Sequence, residues 1–154
     1  MSLDDAKLKI QYLKVNFIGL ALIGSVFLYA GAVEVVRWTM APFAGFAGLP
    51  VAQMMPLKYV FVALAIGDFF LIKFIQKILG GRSVTQIVQA AMVTFALSEA
   101  VAVLGLVLFL LAGHAMDFYT FMFLSLFYFW FFFPRYQDWE DRLGVQSPSG
   151  DAHP

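Results

Sequence analysis

The sequence predicts an all-α integral membrane protein, a bundle of four transmembrane helices with both termini in the cytoplasm. Three observations carry that prediction. Hydrophobic residues make up 62% of the chain and charged residues 13%, with a mean hydropathy of +0.82. Soluble domains are ordinarily about half apolar and a quarter charged, so 154 residues of this composition need a bilayer as solvent. Four apolar stretches each supply the roughly 20 residues that cross a hydrocarbon core. The lysines and arginines also gather on one side of those stretches.

The first span covers about 15–36, bounded by Lys14 and Arg37. Lysines ahead of an apolar run and the "YAGA" segment have the outline of a signal peptide, but the run is long enough to span and reads as a membrane helix. The connection "WTMAPFAGFAGLPVAQMMPLK" contains three prolines and stays apolar, which predicts a short re-entrant or interfacial segment. The second span covers about 57–79 and ends before Gly80-Gly81. The third covers 84–112, longer than the core requires, so it tilts or projects. After the short "GHAMD" turn comes the aromatic fourth span, about 117–134, with Pro134 at its exit. "RYQDWEDRL" then continues as a polar helix outside the membrane, and 144–154 read as a disordered tail. No linker divides 1–143, which form one membrane domain.

Orientation follows from the cations. Lys7, Lys9, Lys14, Lys73, Lys77, Arg82, Arg135 and Arg142 fall on one side, against only Arg37 and Lys58 on the other. The positive-inside rule places both termini in the cytoplasm, in the cell (inner) membrane. Trp38 and Tyr59 at the outer boundary, with Tyr136 and Trp139 inside, suit interfacial anchoring.

The composition also excludes chemistries. There is no cysteine, hence no disulfide framework, thiol catalysis or cysteine-ligated metal. Two histidines, His114 and His153, make no metal or haem set, and neither a cofactor nor a metal is expected. "LGGRS" is too short for a phosphate-cradling loop, no Ser/His/Asp set is present, and no basic run suggests nucleic acid. The chain does not read as an enzyme.

Three acidic residues fall within spans. Glu34 lies three residues before Arg37 on one helix face, the spacing of an ion pair. Asp68 and Glu99 sit near the middles of the second and third spans. Counted from Gly81, Asp68 is about 13 residues before and Glu99 about 18 after. At about 1.5 Å per residue their depths differ by about 7 Å, within reach of side chains or a bridging water. A charge at the bilayer centre costs at least about 2.5–3.5 kcal/mol, so such residues face the bundle interior and find partners. Two roles follow: a proton- or cation-exchanging site at Glu99 with Asp68, or protonated donors that fasten helices together. Lys73 and Lys77 snorkel to the cytoplasmic face, with Lys73 also able to reach towards Asp68. Small residues Ala96, Ala102 and Gly105 flank Glu99, and Ala63 and Gly67 precede Asp68; such stripes let helices approach closely.

The stretch "ALSEAVAVLGLVLFLL" resembles the carboxylate-bearing helix of the proteolipid c subunits of rotary ATP synthases. Ala96, Leu97, Glu99, Ala100, Ala102, Gly105, Leu106 and Val107 stand where that pattern needs them, and Arg82 lies in the preceding connection. The resemblance implies that Glu99 binds a transported proton or sodium ion. It covers about 80–112, and the rest departs: there is no dense glycine repeat, the loop reads "GGRSVTQ", and Leu104 replaces a common site tyrosine.

Two functions are therefore expected. The scarcity of polar residues points to a structural or accessory subunit of a membrane assembly. The alternative is an oligomeric proton- or cation-translocating protein that uses Glu99 with Asp68. Either way the partners are the lipid bilayer and further copies or a larger membrane complex.

Overall fold

A computed structural model describes residues 3–48, 51–79 and 83–143; Arg82 and the tail 144–154, with His153, lie outside the described residues. The described chain is helical: α1 (Leu3–Thr39), α2 (Val51–Leu79), α3 (Val84–Ala112), α4 (Ala115–Phe132) and α5 (Tyr136–Leu143). The first four are long and apolar enough to span a membrane.

Two elements are longer than their apolar runs. The lysines at 7, 9 and 14 belong to α1, which at 37 residues and about 1.5 Å rise extends well beyond a core about 30 Å thick. Helix α2 begins at Val51 rather than near Leu57 and carries Pro56 inside it. Pro56 sits early in the helix, so only one hydrogen bond near its start is lost, and the helix begins upstream of it.

Helix α3 is the centre of the bundle, packed against α1, α2 and α4. Its neighbours meet it through two aromatic-rich clusters. One joins Val15, Val26 and Val33 of α1 to Phe95 and Phe109 of α3 and Phe118 and Phe129 of α4. Spacings of seven and eleven residues are close to whole numbers of helical turns, so the three valines share a face. The other joins Ala65 and Ile72 of α2 to Val101 and Leu108 of α3 and Phe121 and Tyr128 of α4. The opposite faces keep large apolar side chains: Phe17, Leu28, Phe70 and Trp130 are among the most exposed. In water such faces would be polar; against acyl chains they need not be, and helix association then rests on packing and interhelical hydrogen bonds.

The connection between α1 and α2 folds over the end of α3. Phe46 and Ala47 donate backbone N–H groups to the carbonyls of Leu110 (2.7 Å) and Leu111 (3.3 Å), two of the orphan acceptors at that helix end. The ring of Phe43 packs, tilted, with its centre 5.2 Å from that of Phe109. Non-helical backbone at a helix end in a membrane is tolerated when protein groups satisfy it. Gly113, at φ 74°, turns the chain into α4 after donating to Phe109 O (2.7 Å). At the opposite end of the bundle, Trp139 of α5 is buried with its ring 5.5 Å from that of Tyr12.

Candidate functional site

Glu99 lies on the side of α3 that meets α1. Ser25 and Tyr29, four residues apart on α1, share a helix face and reach the same carboxylate oxygen. Ser25 Oγ stands 2.5 Å and Tyr29 Oη 2.7 Å from Glu99 Oε1. Among the described residues, none donates to Oε2. Ser25 Oγ is also 2.6 Å from the carbonyl oxygen of Leu22. A hydroxyl has a single proton to give. With Glu99 ionised, Ser25 donates to the carboxylate; with Oε1 protonated, the glutamic acid donates to Ser25, which turns its own proton to Leu22. Both protonation states of Glu99 therefore keep a satisfied hydrogen bond.

Asp68 approaches the same place from α2. It lines, with Glu99 and Tyr29, a groove of about 500 Å³ whose remaining walls are Leu64, Ala96, Ala100, Val103 and Leu104. The two carboxyls expected at similar depth thus share one groove, although no hydrogen bond joins them. Asp68 is half-buried and forms neither a hydrogen bond nor an ion pair among the described residues. Lys73 does not reach it: its ammonium lies 4.8 Å from the ring centre of Phe69 and 5.9 Å from that of Phe131.

The small residues divide. Ala102 and Gly105 are buried, and Gly105 allows α4 to approach so closely that an added Cβ would sit 2.5 Å from Phe121 Cβ. Ala63, Gly67 and Ala96 are exposed, and a Cβ on Gly67 would meet nothing within 4 Å. Among the described residues α2 meets α3 through Ala65 and Ile72, which leaves Ala63 and Gly67 outside that contact, while Ala96 lines the groove beside Glu99. Glu34 and Arg37 form their ion pair at 2.7 Å, and Tyr119 of α4 also donates to Glu34 Oε1. That pair is exposed, so it contributes little by itself.

Several polar contacts escaped sequence reasoning. Lys58 pairs with Asp117 at 2.5 Å, tying α2 to the start of α4. Tyr128 donates to Ala65 O at 2.8 Å, and Ser125 to Ser98 O at 2.6 Å. The signal for Tyr29 and Ser25 was present, two polar residues at i,i+4 inside an apolar helix, but nothing in the sequence says which helix they face. Among the described residues no group of acidic or histidine side chains is arranged to hold a metal ion. In comparisons with protein-family models, curated proteins and solved structures, the chain matches none.

Proposed function

We propose that this chain is a proton- or cation-exchanging membrane protein whose working group is the Glu99 carboxyl, with Asp68 as its companion across the groove. The observation that carries this reading is the hydrogen-bonding of Glu99 Oε1 by Ser25 and Tyr29, which leaves Oε2 free beside a second unpaired carboxyl. Hydroxyls that serve both the ionised and the protonated glutamate lower the cost of exchanging its proton. Oxygen ligands from Glu99 and Asp68 are also the type that hard cations select. The resemblance of residues 96–107 to the carboxylate helix of rotary proteolipids supports the same assignment. The reading places both termini in the cytoplasm, in the inner membrane, and needs no cofactor and no covalent chemistry.

The test is labelling of the purified full chain with a carboxyl-reactive carbodiimide across pH, with and without sodium, followed by peptide mapping. Modification concentrated on Glu99 is expected, falling as pH rises or sodium is added, and absent in Glu99→Gln. The titratable groups facing Glu99 from the neighbouring helices are Tyr29 and Asp68, so Asp68→Asn is the companion variant. A Glu99 that never reacts, or reacts alike under all conditions, sinks the reading.

A second reading, a structural or accessory subunit, rests on the exposed Ala63–Gly67 face of α2 beside Asp68. Small residues on a membrane helix suit close approach of another helix. Because the chain has no cysteine, Gly67→Cys provides a single crosslinking reporter in native membranes. A disulfide-linked dimer is expected if a second copy covers this face, and a crosslink to another protein if a partner does. No crosslink of either kind removes this reading.

A further inference from the structure

A second polar cavity lies at the other end of the bundle from the α3–α4 turn, and the exchange reading makes no use of it. It has a volume of about 240 Å³ and is walled by α2, α3, α4 and α5. Ile87, Ala90 and Phe132 form a buried floor, and Trp139 closes one side. Three polar side chains line it: Lys73, Gln76 and Asp138. Lys73 and Asp138 are exposed.

From these groups we infer that the cavity binds the zwitterionic phosphoethanolamine headgroup of a membrane phospholipid. Depth is the first argument. Helix α4 ends at Phe132, Pro134 follows, and the polar α5 begins at Tyr136, so the cavity sits where the chain leaves the apolar layer. Tyr12, Tyr136 and Trp139 cluster there, with ring centres 5.1 and 5.5 Å apart, and amphipathic rings of this kind belong at headgroup level. Size is the second. Pockets for drug-sized ligands run to roughly 300–1,000 Å³, so this one suits a headgroup rather than a whole lipid.

Charge is the third argument and the one that selects. Lys73 offers an ammonium to the lipid phosphate. Asp138 offers a carboxylate to a lipid cation. An anionic headgroup satisfies Lys73 but faces the Asp138 carboxylate with the wrong sign. A choline headgroup has the right charges, but its methylated nitrogen has no proton to donate. A primary ammonium donates charge-assisted hydrogen bonds to the carboxylate.

Native mass spectrometry of the detergent-purified full chain tests this, after incubation with an equal mixture of phosphatidylethanolamine, phosphatidylcholine and phosphatidylglycerol. Phosphatidylethanolamine should be retained about tenfold over either competitor, the scale of one charge-assisted hydrogen bond. Asp138→Asn should abolish the preference over phosphatidylglycerol, and Lys73→Gln should lower phosphatidylethanolamine retention about tenfold. Lys77→Gln, outside the cavity, should leave retention unchanged, and circular dichroism checks that each variant keeps its helix content. Equal retention of the three lipids, a preference for phosphatidylglycerol, a preference over phosphatidylglycerol that survives Asp138→Asn, or phosphatidylethanolamine retention undiminished by Lys73→Gln overturns the assignment.

Discussion

Gly105 sets the distance between α3 and α4 by having no side chain. A methyl there would stand 2.5 Å from Phe121 Cβ and 3.1 Å from the Phe118 carbonyl oxygen. Backbone cannot move aside as a flexible side chain can, so Gly105→Ala must push the two helices apart. Overpacking of this kind costs about 1–3 kcal/mol. Gly67→Ala is the matched control, since its methyl meets nothing within 4 Å. Unfolding of the two variants in a denaturing detergent titration should show Gly105→Ala destabilised by about that amount, with Gly67→Ala unchanged or slightly more stable. Two faces of α3 thus carry different chemistry: at Gly105, toward α4, it needs no side chain, and at Glu99 it presents a carboxyl to α1.

Among the elements, the connection 40–48 is more than a tether. It supplies the donors that complete the end of α3, through Phe46 and Ala47. Gly45 makes this possible: its φ is +84°, and a Cβ would run into the carbonyl group of Leu111. Gly45→Ala therefore combines left-handed strain of about 1–3 kcal/mol with a steric clash against backbone. The expected result is local, with faster hydrogen exchange at the Phe46 and Ala47 amides and little change in the centres of α3 and α4. Uniform protection across 40–48 in the variant would mean that the segment does not depend on this close approach. The ion pair between Lys58 and Asp117 acts at the same end of the bundle. It is partly exposed on the lysine side and adds at most about 1 kcal/mol, so packing holds α2 in place.

At the scale of the whole molecule, the distribution of cations predicts the sidedness of the bundle. Met116 stands exposed at the α3–α4 end and Gln137 at the α5 end. Introduced singly into this cysteine-free chain, Met116→Cys should react with an impermeant maleimide in intact cells. Gln137→Cys should react only after permeabilisation. The reverse pattern would invert the topology and, with it, the side from which Glu99 is reached.

Four spans and their order were legible in the sequence because a bilayer demands about 20 apolar residues per crossing and tolerates no irregular backbone facing lipid. Glu99, Asp68 and the Glu34–Arg37 pair were legible as exceptions to that demand, since each places a charge or a proton where apolar side chains are the rule. Helix ends were less legible: the lysine-rich start of α1 is helical without being apolar, and the stretch before Pro56 is apolar and helical but reads as connection because prolines bracket it. Which residues meet was decided by the tertiary structure alone. Nearly every face of these helices is apolar, so no amphipathic stripe in the sequence marks the side that turns inward. Packing chose it, through the bulk of Phe95, Phe109 and Phe129 and the gap at Gly105. That choice put Ser25 and Tyr29 against Glu99 and opened the groove it shares with Asp68.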